Sequence, residues 1–420
     1  MTENQDLITA LIEAGYTQAE LAEAVNAVLR TRGHEGTVSD RTVRHWLTGK
    51  TRWPHPRQRD ALEAVFGCAA EELGFVRPAP RPLSTTTPEQ PVRRRNFLIA
   101  TTGTTAAVVT PLGSRPSRVG ISDVARLRGG LDELVAADAT RRCHEGLEQA
   151  ALAQAGQALD MQQQAASQRV RQRLFSVAAD CSGAAALAAV DAGQLDRAQQ
   201  HLDRALHLAG MAQDPVAALQ IWNLYAMLAA QRQHYTLAVD AAQAALAGTA
   251  TRRDPMFASL AHARTAIGHA DLDERQAALR SLGHAQEALA KAAPGRRPSW
   301  MAFFGPAELS VITAIVRDRI GDPAGAEAAS YQALAGIPEQ FRRNRALATT
   351  RLALAQLHQR DVDQACATAE NVFSLMSGSP IPGRMRSLLG DYYRDLITLA
   401  PKANAAREWE DRYRSEWSRA

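Results

Sequence analysis

Apolar residues along this chain recur at three- and four-residue intervals, the period of helices, and no stretch is strand-rich. Over Asn4 to Ala14, Leu7, Ile8, Leu11 and Ile12 hold helical spacing, and Gly15 closes the helix. Thr17-Gln18-Ala19-Glu20 then carries the capping-box pattern, in which hydroxyl and carboxylate satisfy the orphan amides of a helix start, with Leu21, Ala22 and Val25 facing inward behind it. Ser39 to Leu47 predicts a third helix, with Ser39 as cap and Val43, Trp46 and Leu47 as buried stripe. Arg41, Thr42, Arg44 and His45 are left pointing outward.

Farther along, the pattern repeats. Ala198, Ala238, Ala278, Ala326 and Ala365 occupy comparable places, at spacings of 40, 40, 48 and 39 residues. Twelve residues before them stand Ala186, Ala226, Ala266, Ala314 and Ala353, and seven after stand Ala205, Ala245, Ala285, Ala333 and Val372. Small residues at these offsets let two antiparallel helices approach closely, so each period predicts one helical hairpin. Five hairpins over residues 179 to 376, with partial ones on either side, make a curved α-solenoid with a concave face built from first helices. Offsets of 18, 15, 11 and 8 before each anchor place Gln220, Asn223, Met227 and Ile315 on that face, alongside Asp180, Leu260 and Glu308. Such a lining suits a peptide, a hydrophobic small molecule or a protein helix, or else these are ordinary packing positions. The 48-residue spacing marks an insertion, PGRRPSWMAFFGP, whose Arg296, Arg297, Trp300, Phe303 and Phe304 read as a packing plug or a ligand lid.

The placement of charge changes the picture more than its total of +4. Residues 1 to 75 carry a net −3, residues 76 to 130 a net +7, and the remainder balances. The positive middle also gathers seven of the chain's prolines among Ser, Thr and Gly, the composition of a flexible linker. Within the acidic first segment, Arg41, Arg44, Lys50, Arg52, Arg57 and Arg59 cluster around the third helix and the turn behind it. Cations there could meet DNA phosphates while a helix start carrying Arg, Ser and Thr reaches base edges.

TQAELAEAVN followed by SDRTVRHWLTGKTRWPHP resembles the Cro and lambda-repressor-like (XRE-type) helix-turn-helix family over residues 4 to 75. The resemblance implies that Gln18 touches the DNA backbone and that Ser39, Asp40, Arg41, Thr42, Arg44 and His45 face the groove, with Lys50 and Arg52 beside them. Here AVLRTRGHEGTV adds about ten residues before Ser39 to a connection that is usually short in that family. The repeats resemble tetratricopeptide repeats, with Trp222 and Tyr225 as first-helix aromatics, though the family period is about 34 residues. The combination is similar to actinobacterial regulators, in keeping with a basic complement of 45 arginines and three lysines.

The expected organisation is therefore all-α: a helix-turn-helix domain over 1–76, a linker over 77–120 and a tetratricopeptide-like domain over 121–420. The expected function is sequence-specific DNA-binding transcription regulation, with the repeats sensing a signal or pairing protomers into a homodimer. The alternative is an interaction scaffold whose N-terminal domain does not read DNA. No HExxH, GxSxG, P-loop or Rossmann glycine pattern occurs in a fitting context, so neither catalysis nor a cofactor is expected. His201, His207, His262 and His269 read as surface residues, and Cys68, Cys143, Cys181 and Cys366 lack metal-ligand spacing and read as inert thiols. Arg94-Arg95-Asn96-Phe97-Leu98 looks like a twin-arginine export start, which would suit a repeat protein made from a later start codon. It follows a folded domain and a proline-rich stretch, and five threonines lie behind it, so a cytoplasmic hinge is the expectation. No eighteen-residue apolar run suited to crossing a membrane is expected.

Overall fold

The computed structural model describes residues 3–31, 33–76, 119–139, 146–164, 166–295 and 297–418. The arginine run at 93–95, nearly all of the expected linker, Cys143 and Arg296 lie outside them. Every regular element among the described residues is helical. Two compact units form, Met1–Ser122 and Asp123–Ala420.

The first unit holds α1 (Gln5–Glu13), α2 (Gln18–Thr31), α3 (Asp40–Leu47) and α4 (Pro56–Phe66). Asn4 caps α1 by accepting from the Leu7 amide at 3.1 Å, and its own amide donates to the Leu47 carbonyl at 2.8 Å. Thr17 and Glu20 close the reciprocal box on α2, Thr17 N to Glu20 Oε2 at 2.8 Å and Glu20 N to Thr17 Oγ1 at 3.2 Å. The additional residues before α3 are partly absorbed by α2, which runs on to Thr31. Asn26 brackets the rest: its Nδ2 donates to the Val38 carbonyl at 2.7 Å and its Oδ1 accepts from the Val38 amide at 2.9 Å. Satisfying both backbone groups of Val38 fixes where the chain turns into α3. Leu7, Leu21, Val25, Val43, Trp46, Leu62 and Phe66 fill the core, with Trp46 wholly buried.

The second unit opens with α5 (Ile121–Ala139) and α6 (Leu147–Gln162). Five hairpins follow: α7 (Gln168–Asp191) with α8 (Leu195–Ala212), α9 (Pro215–Gln231) with α10 (Tyr235–Ala247), and, after the one-turn α11 (Thr249–Arg253), α12 (Pro255–Asp271) with α13 (Arg275–Lys291). Next come α14 (Pro306–Arg319) with α15 (Pro323–Gly336) and α16 (Arg342–His358) with α17 (Val362–Met376). A sixth pair, α18 (Gly383–Leu399) and α19 (Asn404–Ser418), ends the array. All fifteen small residues of the repeat register are at most 4% exposed, each pair of facing helices meeting over them. The unit is a tetratricopeptide-like helical array.

Its hairpin turns are identical in kind. Gly193, Gln233, Asp273, Gly321 and Arg360 stand five residues before their anchors, and each has φ between 59° and 77°. In every case the next amide reaches the carbonyl five residues back, from Gln194 to Ala189 at 2.8 Å through to Asp361 to Gln356 at 3.0 Å. This is the Schellman closure, which needs a left-handed residue at its bend. Three of the five bends meet that need without glycine.

The array also turns back on itself. Inner helices α7, α9, α12, α14, α16 and α18 each pack on the next, and α18 packs on α7. The C-terminal end of α7 meets the starts of α16 and α18, where Arg343 lies 3.3 Å from Asp138 and 3.7 Å from Asp191, and Arg384 lies 3.0 Å from Asp191. At Gly383 the approach is so close that a Cβ would stand 2.4 Å from the Ala192 carbonyl oxygen. α7 holds no unbroken eighteen-residue apolar run, yet by length and overall composition it is a helix long and apolar enough to cross a membrane. The apolar window of α7 is 89% buried inside the unit, because its alanines pack under α6, α8 and α9.

Candidate functional site

In the first unit, α3 begins under a second reciprocal cap. Ser39 Oγ accepts from the Thr42 amide at 3.4 Å, and the two hydroxyls lie 3.2 Å apart. Ser39 and Thr42, expected to face a groove, thus spend their hydroxyls on the helix start. Asp40 sits in the first turn, where the helix dipole favours a carboxylate. Val43, Trp46 and Leu47 point into the core, so the helical period turns Arg41 and Arg44 outward and leaves His45 half-buried.

Arg41, Arg44, Lys50, Arg52 and Arg57 are all exposed. No carboxylate among the described residues lies within 4.0 Å of their charged atoms. Arg59 differs: it stacks over the Trp53 ring at 5.0 Å and pairs with Asp60 at 3.7 Å and Glu63 at 4.0 Å. The Arg59 and Trp53 pairing stiffens the turn after α3, and the Val76 amide ties the same turn down by donating to the Arg52 carbonyl at 3.0 Å. Gln18 is the first residue of α2 and is half-buried. What sequence reasoning missed here is Asn26, since an asparagine inside a helix gives no hint that it will bracket a residue twelve positions on.

In the repeat unit the residues expected to line a groove divide. Gln220 and Asn223 are each 4% exposed, and Asn223 Oδ1 accepts from Arg264 Nε at 2.8 Å. Gln220 approaches Gly183 of α7, where a Cβ would stand 3.1 Å from its Nε2, so the two helices meet where an open trough was expected. Met227 and Ile315 are half-buried, Ile315 against the apolar core of the central hairpins. The insertion packs. Trp300 stacks on Phe257 with ring centroids 6.1 Å apart, Met301 and Phe304 join the same core, and Arg297 holds Asp254 through two bonds of 2.7 and 2.9 Å. Phe303 stays outside, 42% exposed.

His201 meets Glu148 at 2.9 Å, His269 meets Glu274 at 2.5 Å, and the His262 and His284 rings lie 5.3 Å apart. No group of three metal-ligating side chains exists among the described residues. Burial pushes the Cys181 thiol up to about 12 and, aided by Glu72 and Glu63, that of Cys68 to about 11, so neither is a ready nucleophile.

The family model described as the SP15 N-terminal domain matches residues 7–73, the span of α1 to α4. That description is not a Cro or lambda-repressor type. None of the curated proteins matches the chain at a significant level. Among solved structures, pilF of Pseudomonas aeruginosa is 16% identical, over 56% of this chain and 97% of that one, at a TM-score of 0.31. A TPR-repeat protein of Bacteroides fragilis is 14% identical, over 56% of this chain and 98% of that one, at a TM-score of 0.20. The helical-repeat architecture rests on the hairpins themselves.

Proposed function

We propose that this chain is a DNA-binding regulator: the N-terminal bundle docks on double-stranded DNA through α3, and the repeat domain receives a partner or signal and pairs protomers into a dimer. The cytoplasm is the matching compartment. The observation that carries the reading is the exposed set Arg41, Arg44, Lys50, Arg52 and Arg57, with no carboxylate within 4.0 Å among the described residues, in a unit otherwise rich in acids. Exposed cations are normally neutralised by pairing with carboxylates; a group without such partners beside a rigidly capped helix is what phosphate recognition uses. If all five reach phosphates, affinity should fall with salt at a log-log slope of about −4.5.

The test is selection of bound duplexes from a random pool at two salt concentrations, followed by titration of the enriched sequence. Arg41→Ala with Arg44→Ala should abolish the enriched motif and lower the slope by about 2 while the fold persists. Retention without any motif would overturn sequence-specific reading. A second reading is favoured by the net −3 of residues 1 to 75: the bundle holds a protein partner and the chain is a scaffold. In that case the double variant keeps its partner and no duplex is enriched.

A further inference from the structure

His262 reads in the sequence as a surface residue, and the fold gives it a companion on the facing helix. The imidazole of His284, on α13, stands with its ring centroid 5.3 Å from that of His262, on α12, the two planes tilted at 44°. His262 is half-buried and His284 exposed. The scaffold beneath them is stiff. Ser259, one turn before His262, donates to the carbonyl of Ala285, next to His284, at 2.7 Å, and Ala261, Ala263, Leu282 and Ala285 are buried. Beside His284 there is room, since a Cβ on Gly283 would meet nothing within 4 Å.

The pair is not a packing motif. His201, His269 and His358 each meet a carboxylate, whereas among the described residues neither His262 nor His284 makes a hydrogen bond or an ion pair. The repeat register does not call for it either. The places sixteen before and six after the anchor, which His262 and His284 occupy around Ala278, hold Trp222 with Ala244 around Ala238 and Thr349 with Asn371 around Ala365. Burial and the neighbouring His284 hold the His262 imidazole below its ordinary 6.5, so at neutral pH it offers a lone pair. A tetrahedral metal ion about 2.0–2.1 Å from one nitrogen of each of two imidazoles places their ring centroids about 5 Å apart. His262 and His284 already stand at that spacing.

We propose that His262 and His284 form a two-histidine clamp for one divalent transition-metal ion of the zinc class, with water completing the tetrahedron. Imidazole nitrogen favours zinc and its transition-metal neighbours over magnesium and calcium, which take oxygen ligands. The ion staples α12 to α13 and leaves two coordination positions open to solvent or to a ligand group. The repeat domain alone carries the site, so it stands whether or not the bundle docks on DNA.

Isothermal titration of the full chain with zinc chloride, in a buffer that does not chelate, tests the proposal. Saturable binding of one ion is expected, unchanged by excess magnesium. His262→Gln or His284→Gln should each weaken it about a hundredfold, because the second of two linked ligands contributes through its effective concentration, while His201→Gln leaves it intact. A second measurement needs no variant: zinc should shield His262 and His284 of the unaltered chain from diethyl pyrocarbonate, read by peptide mass spectrometry, while the exposed His55 reacts as before. Arg41→Ala with Arg44→Ala should leave zinc binding unchanged, so a failure of the DNA reading is seen separately. The absence of saturable binding to the unaltered chain overturns the proposal, whatever the variants do. So does binding that survives both glutamine substitutions, that magnesium displaces, or that leaves the two rings unshielded.

Discussion

Replacing Arg343 by methionine should unlock the turn of the repeat domain. The guanidinium is 7% exposed and lies between Asp138 and Asp191, themselves 4% and 2% exposed, so three chain segments separated by up to 205 residues meet on one cation. Removing one partner of a buried charge pair costs about 3–5 kcal/mol, because the remaining charge stays desolvated. Asp191 retains Arg384 at 3.0 Å, which places the expected loss near the lower end, about 3 kcal/mol. For a unit of this size that lowers the midpoint by about 5 °C. Thermal melts followed by far-ultraviolet circular dichroism measure it, and hydrogen exchange should show amides at the end of α7 opening together with those at the start of α16. Adding Asp138→Asn to the methionine variant should recover part of the loss, since one buried charge is then gone. A single variant within about 1 kcal/mol of the parent, or a double variant with no recovery, would refute the idea that this cluster holds the turn closed.

The hairpin bends offer an opposite effect: Gln233→Gly, Asp273→Gly and Arg360→Gly should each stabilise by up to about 1 kcal/mol in chemical denaturation, because φ of 61°, 59° and 70° strains a side chain and suits glycine. Asn26→Ala removes both bonds to Val38; a loss of about 1–3 kcal/mol is expected, with weaker duplex binding than Ser39→Ala, which costs about 1 kcal/mol at the cap. His358, bonded to Asp318 and Asp395, has its pKa raised above the ordinary 6.5, and burial raises Asp180 from 3.8 to about 7 against the pull of Arg128. Both folded values exceed the unfolded ones, so both contributions are present at low pH and fade as pH rises. The Asp180 contribution fades between about 4 and 7 and that of His358 from about 6.5 upward. Melting temperature should therefore fall from mildly acid to alkaline pH, and His358→Gln should flatten the upper part of that decline.

Much of this was legible because it is periodic. Fifteen alanine and valine positions set the hairpin register, since only small side chains let paired helices approach, and all fifteen are buried. The caps at Thr17 and Ser39 and the stripe of Val43, Trp46 and Leu47 were readable for the same reason: each is a local pattern with a local cause. Closure was not legible. Asp138 and Arg343 belong to different repeats and share no spacing, and their meeting depends on how small rotations sum over six hairpins. Gln220 and Asn223 were placed on the inner face by offset, but their burial follows from closeness to Gly183 and Arg264, which the offset cannot carry.

Closure also bears on what the repeat domain can accept. An open solenoid presents a trough along which an extended peptide or a helix can lie, and length is then no obstacle. When the end of α7 rests on the starts of α16 and α18, a long occupant must thread the turn or open it. Opening it costs the buried charge cluster, so a macromolecular partner would have to bind the opened form correspondingly better than the closed one. A small ligand within the closed turn has no such cost and would add to the closed form's stability by an amount set by its concentration relative to its dissociation constant. The two classes of ligand should thus act oppositely on the Arg343→Met variant. A partner that needs the open turn should bind the variant more tightly than the parent, and a small ligand held within the closed turn should bind it no better, its contacts being less well preorganised.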